Sequence, residues 1–550
     1  MTQTQIRVRG AVAAVILTSS AAACAARIDP SKPIFPMPET RAEQSDYTQT
    51  SSYGDVIAFI NGLKSRNAPL AYGVIGKTSE GRDIPYLIAS RPVVTTPEEA
   101  RALGRPIVYV NANIHAGEVE GKEALLALVR DLTYQRGPNV LDSLVLIAVP
   151  IYNADGNEKF ADEAINRGEQ NGPQLVGTRA NGQKLDLNRD YVKAEAPETR
   201  AALAMFNKWD PDVYVDLHTT DGSFHGFALT YSPSLNPASY APGFAGALTR
   251  DTMLPEIRAR MHARGIEIFD YGNFEGAPRA DLTDTVKHGW YTYEPYPRYG
   301  TNYYGMRGRV SILSEAYSHD NFRQRIASTY AFVQAILSSA ARHAGQLEDI
   351  RKSADNVQEA EVPIRSRMTT HPFDAPIPFE VLKRTGDTLR TQPGVPKGIR
   401  RTGRFITQTM PVYDRFEPTL EVRRPDAYVL PNDTTITNLL KLHGLTVRPL
   451  TAAEASLPQS FFTVDSVITA PRAFQGHHET RLAGHWSEPR APMAVSGNLA
   501  SYVVVPATGR FGPLAAYLLE PESDDGLVDW NFFDTFLKIG SPFPVIRLYR

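Results

Sequence analysis

The chain has 550 residues, 42% of them hydrophobic and 21% charged, and a formal net charge of −2. Such a length supports several domains with substantial cores, and the near-neutral balance excludes binding to nucleic acid through a basic field. The single cysteine, Cys24, excludes an internal disulfide framework, so stability has to come from packing and from any bound metal.

At the N-terminus, Arg7 and Arg9 precede an apolar-to-small stretch, Ala11 to Ala23, that is too short for a permanent membrane span. Residues 1–24 are therefore expected to be an export signal. Two processing routes fit Ser20-Ala21-Ala22-Ala23-Cys24. One is lipoprotein cleavage with a lipid anchor on Cys24; the other is ordinary Ala-x-Ala cleavage, favoured by Ala21 standing where lipoprotein signals usually carry Leu or Val. The expected location is the periplasm, the envelope through a lipid anchor, or the medium by secretion.

From Pro106 to about Ala341 strands and helices alternate. The apolar run Ile107 to Ile114 predicts a strand, and Leu125, Leu128, Val129 and Leu132 then mark one face of a helix. Leu144 to Ile151, Val213 to Leu217 and Val310 to Leu313 predict further strands, with helices over Pro197 to Trp209 and Phe322 to Ser339. The pattern implies an α/β fold, a mixed and mostly buried β-sheet flanked by helices. Residues 346–378, polar and then proline-rich, are expected to be a linker. Residues 379–550 hold short apolar runs between Pro, Gly and Asp and predict a smaller β-rich C-terminal domain. Within it Ala427 to Leu430, Ile436 to Leu442 and Leu445 to Leu450 also suit one β-α-β element.

His115-Ala116-Gly117-Glu118 follows the first of these strands, so an imidazole at a strand end and a carboxylate on the next turn can converge on one ion. The spacing alone is weak, because His485-Trp486-Ser487-Glu488 repeats it. His218 strengthens it, since it follows the strand Val213 to Leu217 and strand ends of one sheet face one crevice. Two histidines and a glutamate leave a fourth zinc position open, which suits catalysis better than structural stapling. His477, His478, Glu479 and His485 fit a polar strand better than a second set of ligands.

Five motifs then occur in one order: His115-x-x-Glu118, Asn153-Ala154-Asp155-Gly156, Asp186-Leu187-Asn188-Arg189, Leu217-His218 and Ser314-Glu315. In this order the chain resembles the zinc carboxypeptidase family typified by carboxypeptidase A, over roughly residues 47–345. The resemblance implies a carboxypeptidase-like fold and one zinc ion held by His115, Glu118 and His218. It implies Glu315 as general base, Arg179 as the arginine that stabilises the oxyanion, and Asp186 as the carboxylate that orients His115. Asn188 and Arg189 would bind the free carboxylate of a peptide substrate, and Tyr303 or Tyr304 would supply the mobile tyrosine. Tyr291, Tyr293, Tyr296 and Tyr299 are also available for that last role.

Asp190 departs from the family's usual Asn and places a negative charge next to the expected carboxylate pocket. It encourages a second enzymatic reading, an amidase or peptidase acting on peptidoglycan stem peptides or another N-acyl amino acid. A third reading is a catalytically idle binding protein that keeps the fold. No nucleic-acid partner and no protein partner is expected.

Overall fold

Eight strands make the central sheet: Leu70–Lys77 (β1), Asp83–Ala89 (β2), Ile107–Ala112 (β3), Val145–Val149 (β4), Val213–Thr219 (β5), Leu229–Pro233 (β6), Ile268–Asp270 (β7) and Val310–Ala316 (β8). This is seen in a computed structural model that describes residues 37–274, 282–354, 361–390, 392–490 and 498–549. Cys24 and the expected export signal lie outside the described residues. The strand order is β1-β2-β4-β3-β5-β8-β6-β7. The middle four run parallel, while β1, β2 and β6 pair antiparallel with neighbours.

Every residue of β3, β4, β5 and β8 is buried, as parallel strands covered on both faces require. Along β3 the side chains alternate between two cores. Val108 and Val110 join the helices Glu120–Tyr134 (α1) and Phe322–Arg342 (α3), and Ile107 and Tyr109 join Pro197–Trp209 (α2) on the other side. The mixed α/β sheet expected from the alternation is therefore present. One detail differs: α1 buries Glu120, Lys122 and Glu123 besides its apolar stripe. Glu123 tolerates this because Thr50 and Ser51 donate three hydrogen bonds of 2.6–2.9 Å to it.

Beyond α3 lie the helix Ala344–Ser353 (α4) and the strands Glu361–Thr369 (β9), Ala375–Arg384 (β10), Ile399–Met410 (β11), Arg415–Arg423 (β12) and Ala427–Pro431 (β13). They are followed by Arg448–Pro449 (β14), Gln459–Thr469 (β15), Thr480–Trp486 (β16), Tyr502–Pro506 (β17) and Pro542–Leu548 (β18). β10 and β11 form a long hairpin, β9 pairs with β12, and a six-stranded sheet runs β14-β17-β13-β18-β15-β16. The C-terminal region is β-rich, as its sequence implied.

The linker expected at 346–378 is not what the structure holds there. Helix α4 and strand β9 occupy much of it, and Val362 and Ile364 share one hydrophobic cluster with Tyr303, Phe206, Tyr428 and Leu514. Residues 38–550 accordingly form one compact unit. The prolines misled because Pro363, Pro376 and Pro378 sit in two-stranded ladders, where a missing N–H is tolerated. The expected β-α-β element exists as β13, the helix Thr434–Leu442 (α5) and β14, with β17 inserted between its two strands.

Candidate active site

At the end of β3 the chain turns through Asn113 at φ 65°, a left-handed conformation that asparagine accepts more readily than most residues. The turn closes with Glu118 N–H donating to the His115 carbonyl at 3.0 Å, and α1 begins at Glu120. Gly121 lets α1 sit directly on β5, since a Cβ there would meet Leu217 Cβ at 2.8 Å. His218 stands at the end of β5, and the β5–β8 register sets Glu315 opposite it.

This brings His115, Glu118 and His218 together, all buried. His115 Nδ1 is 3.0 Å from Glu118 Oε1, His218 Nδ1 is 2.9 Å from Glu118 Oε2, and the two Nδ1 atoms are 3.2 Å apart. Zinc takes N and O ligands at about 2.0–2.2 Å in a tetrahedron, whose edges are then about 3.3 Å. The triangle has that size, and two ring nitrogens facing each other so closely suit a shared cation better than a hydrogen bond. The residues fit one zinc ion.

Each ring is oriented through its other nitrogen. His115 Nε2 is 3.0 Å from Asp186 Oδ1, as the resemblance implied. His218 Nε2 is 3.1 Å from Asp216 Oδ2, a partner not singled out in the sequence. A carboxylate on the far nitrogen fixes the tautomer and raises the basicity of the donor. Arg167, also not singled out, lies 3.1 Å from Glu118. Burial alone would raise the Glu118 carboxyl, but Arg167, His115 and His218 hold it well below the usual carboxylate range. Glu315 has the opposite fate, because burial and the nearby charges of Glu118 and Asp221 push its carboxyl up against the pull of His218 and Arg167.

Asp186 joins the metal half of the cleft to the half lined by Arg179, Asn188 and Arg189. Its Oδ1 also accepts from Asn188 N–H at 2.9 Å, and its Oδ2 accepts from Arg179 Nε at 2.8 Å. Arg179 Nη1 lies 3.5 Å from Glu118. The Asn153 motif supports the same corner, since Asn153 Nδ2 donates to the carbonyls of Ile114 and Arg179, each at 3.1 Å. Asn188 Oδ1 accepts from Gly300 N–H at 2.9 Å, and the Arg189 guanidinium covers the Tyr299 ring at 4.3 Å. His115, Glu118, Arg179, Asn188, Arg189, His218 and Glu315 all line one cleft of about 620 Å³.

Two sequence expectations are corrected here. Tyr303 and Tyr304 do not reach the cleft, because both are buried in the helix Gly300–Met306. Tyr303 donates to His443 Nδ1 at 2.8 Å, and Tyr304 stacks on Phe206 at 3.9 Å. The tyrosines that line the cleft are Tyr271, Tyr291, Tyr293 and Tyr299. Asp190 likewise brings no charge to the cleft: it is fully buried and spent on Lys193 Nζ at 2.6 Å and on the N–H groups of Glu195 and Ala196.

The loop bearing Tyr293 and Tyr299 is held from the C-terminal region. Buried Arg298 donates from its main chain and Nε to Asp525 at 2.7 and 2.8 Å, from Nη1 to Glu479 at 2.8 Å and from Nη2 to Asp529 at 3.4 Å. Of the tail histidines, His477 Nε2 pairs with Glu195 at 2.9 Å and His485 with Asp465 at 3.0 Å. Among the described residues only the His115 triad gathers three potential metal ligands.

Residues 56–242 match the family model described as zinc carboxypeptidase, which bears out the resemblance carried by the motif order. Carboxypeptidase 2 of Trichophyton rubrum is 27% identical over 165 residues, which cover 29% of this chain and 27% of that protein. Mouse carboxypeptidase Z is 30% identical over 148 residues, covering 26% of this chain and 21% of its own length. The chain thus matches only about a quarter of the length of these relatives. Among solved structures, a metallo-carboxypeptidase from Burkholderia cenocepacia aligns at 18% identity and a TM-score of 0.39, over 52% of this chain and 69% of that one. Carboxypeptidase A from Helicoverpa armigera aligns at 16% identity and a TM-score of 0.38, over 54% of this chain and 75% of that one.

Proposed function

We propose that the chain is a zinc-dependent carboxypeptidase that hydrolyses the peptide bond next to a free C-terminal residue. The observation that carries this reading is the convergence of the metal triad, Glu315, Arg179, Asn188 and Arg189 on one cleft. Zinc, when bound by His115, Glu118 and His218, supplies Lewis-acid polarisation of a carbonyl and acidification of water.

The chain's own groups do the rest. Arg189 presents a planar fork to the substrate's terminal carboxylate, a bidentate match that a lysine cannot make, with the Asn188 amide beside it. Arg179 balances the charge that develops on the scissile carbonyl oxygen, a contribution of about 3 kcal/mol in comparable sites. Glu315 accepts a proton from the attacking water and passes it to the departing amine.

The reading of an amidase on stem peptides drew its encouragement from Asp190, and the burial of that residue removes it. The test is incubation of the purified protein, with and without a zinc chelator, with peptides bearing free or amidated C-termini. Chelator-sensitive loss of single residues from free C-termini only is the expected product. Intact peptides from a protein holding one zinc per chain would overturn the reading. Export remains part of the proposal, with the leader removed and Cys24 acylated or excised. Intact mass of the mature N-terminus decides between the two.

A further inference from the structure

Asp186 receives one hydrogen bond from far along the chain. Its main-chain N–H donates to Gln475 Oε1 at 3.0 Å. Gln475 and Gly476 form the two-residue turn of a small hairpin closed by Phe474 and His477, whose N–H and C=O groups exchange hydrogen bonds of 2.7 and 2.9 Å. The two turn residues have φ of 49° and 84°, the primed-turn geometry in which Asn, Asp or Gly is strongly preferred at the first position. Glutamine is unusual at that position, and its side-chain oxygen is the atom that meets Asp186.

The contact sits where both halves of the cleft meet. From Asp186 hang the carboxylate that holds His115 and Arg179 and the short helical turn Leu187–Arg189 that presents Asn188 and Arg189. The same hairpin grips the cleft's surroundings twice more, through His477 to Glu195 and through Glu479 to Arg298.

We propose that Gln475 is a positioning residue of the active site. Its side-chain oxygen fixes the Asp186 peptide and so sets the orientation of His115 toward the metal and of Arg189 toward the substrate carboxylate. The C-terminal region is thereby a working part of the site. This rests on the carboxypeptidase reading for the substrate half, and on the metal triad alone for the other.

The test compares three full-length proteins: wild type, Gln475→Gly and Gln475→Met. Glycine suits the turn and removes the acceptor, while methionine keeps the length without a comparable acceptor. Both variants should release zinc to a coloured chelator about five- to tenfold faster, the scale of one lost hydrogen bond. Both should raise KM for a free-C-terminus peptide by a similar factor, with kcat changed less and with the melting temperature of Gln475→Gly not lowered. Wild-type zinc release and KM in both variants would overturn the proposal. So would a defect in Gln475→Gly alone, which would assign the effect to filled space. Zinc release is read without substrate, so a wild type that cleaves no peptide would end the carboxypeptidase reading and leave the Gln475–His115 coupling to be decided by release rates.

Discussion

His115, Glu118, His218 and Glu315 stand at or just beyond strand ends of β3, β5 and β8, whereas Asp186, Arg189 and Tyr299 stand on two loops with no sheet beneath them. Ladder hydrogen bonds fix His218 and Glu315 to within one register, where a slip by one residue would turn every side chain over, and the turn leaving β3 carries His115 and Glu118 beside them. The second group is held by buried charges and by residues from beyond position 470, namely Gln475, Glu479, Asp525 and Asp529. One half of the site thus stands mainly on the sheet and the other on how the C-terminal region packs against it, with Asp186 joining the two through His115 and Gln475.

Glu315→Gln should break the metal half chemically while leaving it intact structurally. We expect kcat to fall about 10²–10⁴-fold with zinc still bound at one per chain, measured by single-turnover kinetics and metal analysis. Arg298→Ala should strike the other half. Removing the guanidinium leaves Asp525, Asp529 and Glu479 facing one another, at a cost of about 3–5 kcal/mol in stability. A lower melting temperature and a raised KM with normal zinc content are expected, and loss of zinc in the folded variant would erase the distinction between the halves.

Arg189→Ala should raise KM about 10–100-fold for free C-termini, from the loss of a charge-assisted fork, measured by steady-state hydrolysis of a free-C-terminus peptide. Burial raises Asp529 from 3.8 to about 8 and Asp525 to about 6, even beside Arg298. A carboxyl raised on folding contributes fully below its unfolded value and loses that contribution as pH climbs toward the folded one. Asp529→Asn should therefore melt a few degrees above wild type at pH 8 and match it near pH 4. The smallest effect is expected from Tyr303→Phe. His443 Nε2–H donates to the Val192 carbonyl, so its Nδ1 accepts from Tyr303, and losing that donor costs about 1–2 kcal/mol of stability with kcat and KM unchanged.

The metal half is legible in the sequence because its residues follow short apolar, β-branched runs that read as buried strands. Asp216 also carries a sequence signal, as a carboxylate inside Val213-Tyr214-Val215-Asp216-Leu217, two residues before His218 and hence on the same face. Tyr303 and Tyr304 were misplaced because their helix is buried all round and its sequence has no polar face to mark the inside. The linker failed for a related reason, since prolines mark strand edges as readily as spacers. Gln475 left only a faint trace, an unusual residue before glycine in a tight turn, and its partner lies 289 positions away.

That separation has a consequence for the order in which the molecule becomes competent. Chains fold as they emerge, N-terminal parts first. Every zinc ligand has been synthesised by residue 218 and Glu315 soon after, but the peptide of Asp186 waits for residue 475 and the Tyr299 loop for residues 525 and 529. A growing chain therefore gathers the His115 triad well before residues 475, 525 and 529 can hold the Asp186 and Tyr299 loops beside it.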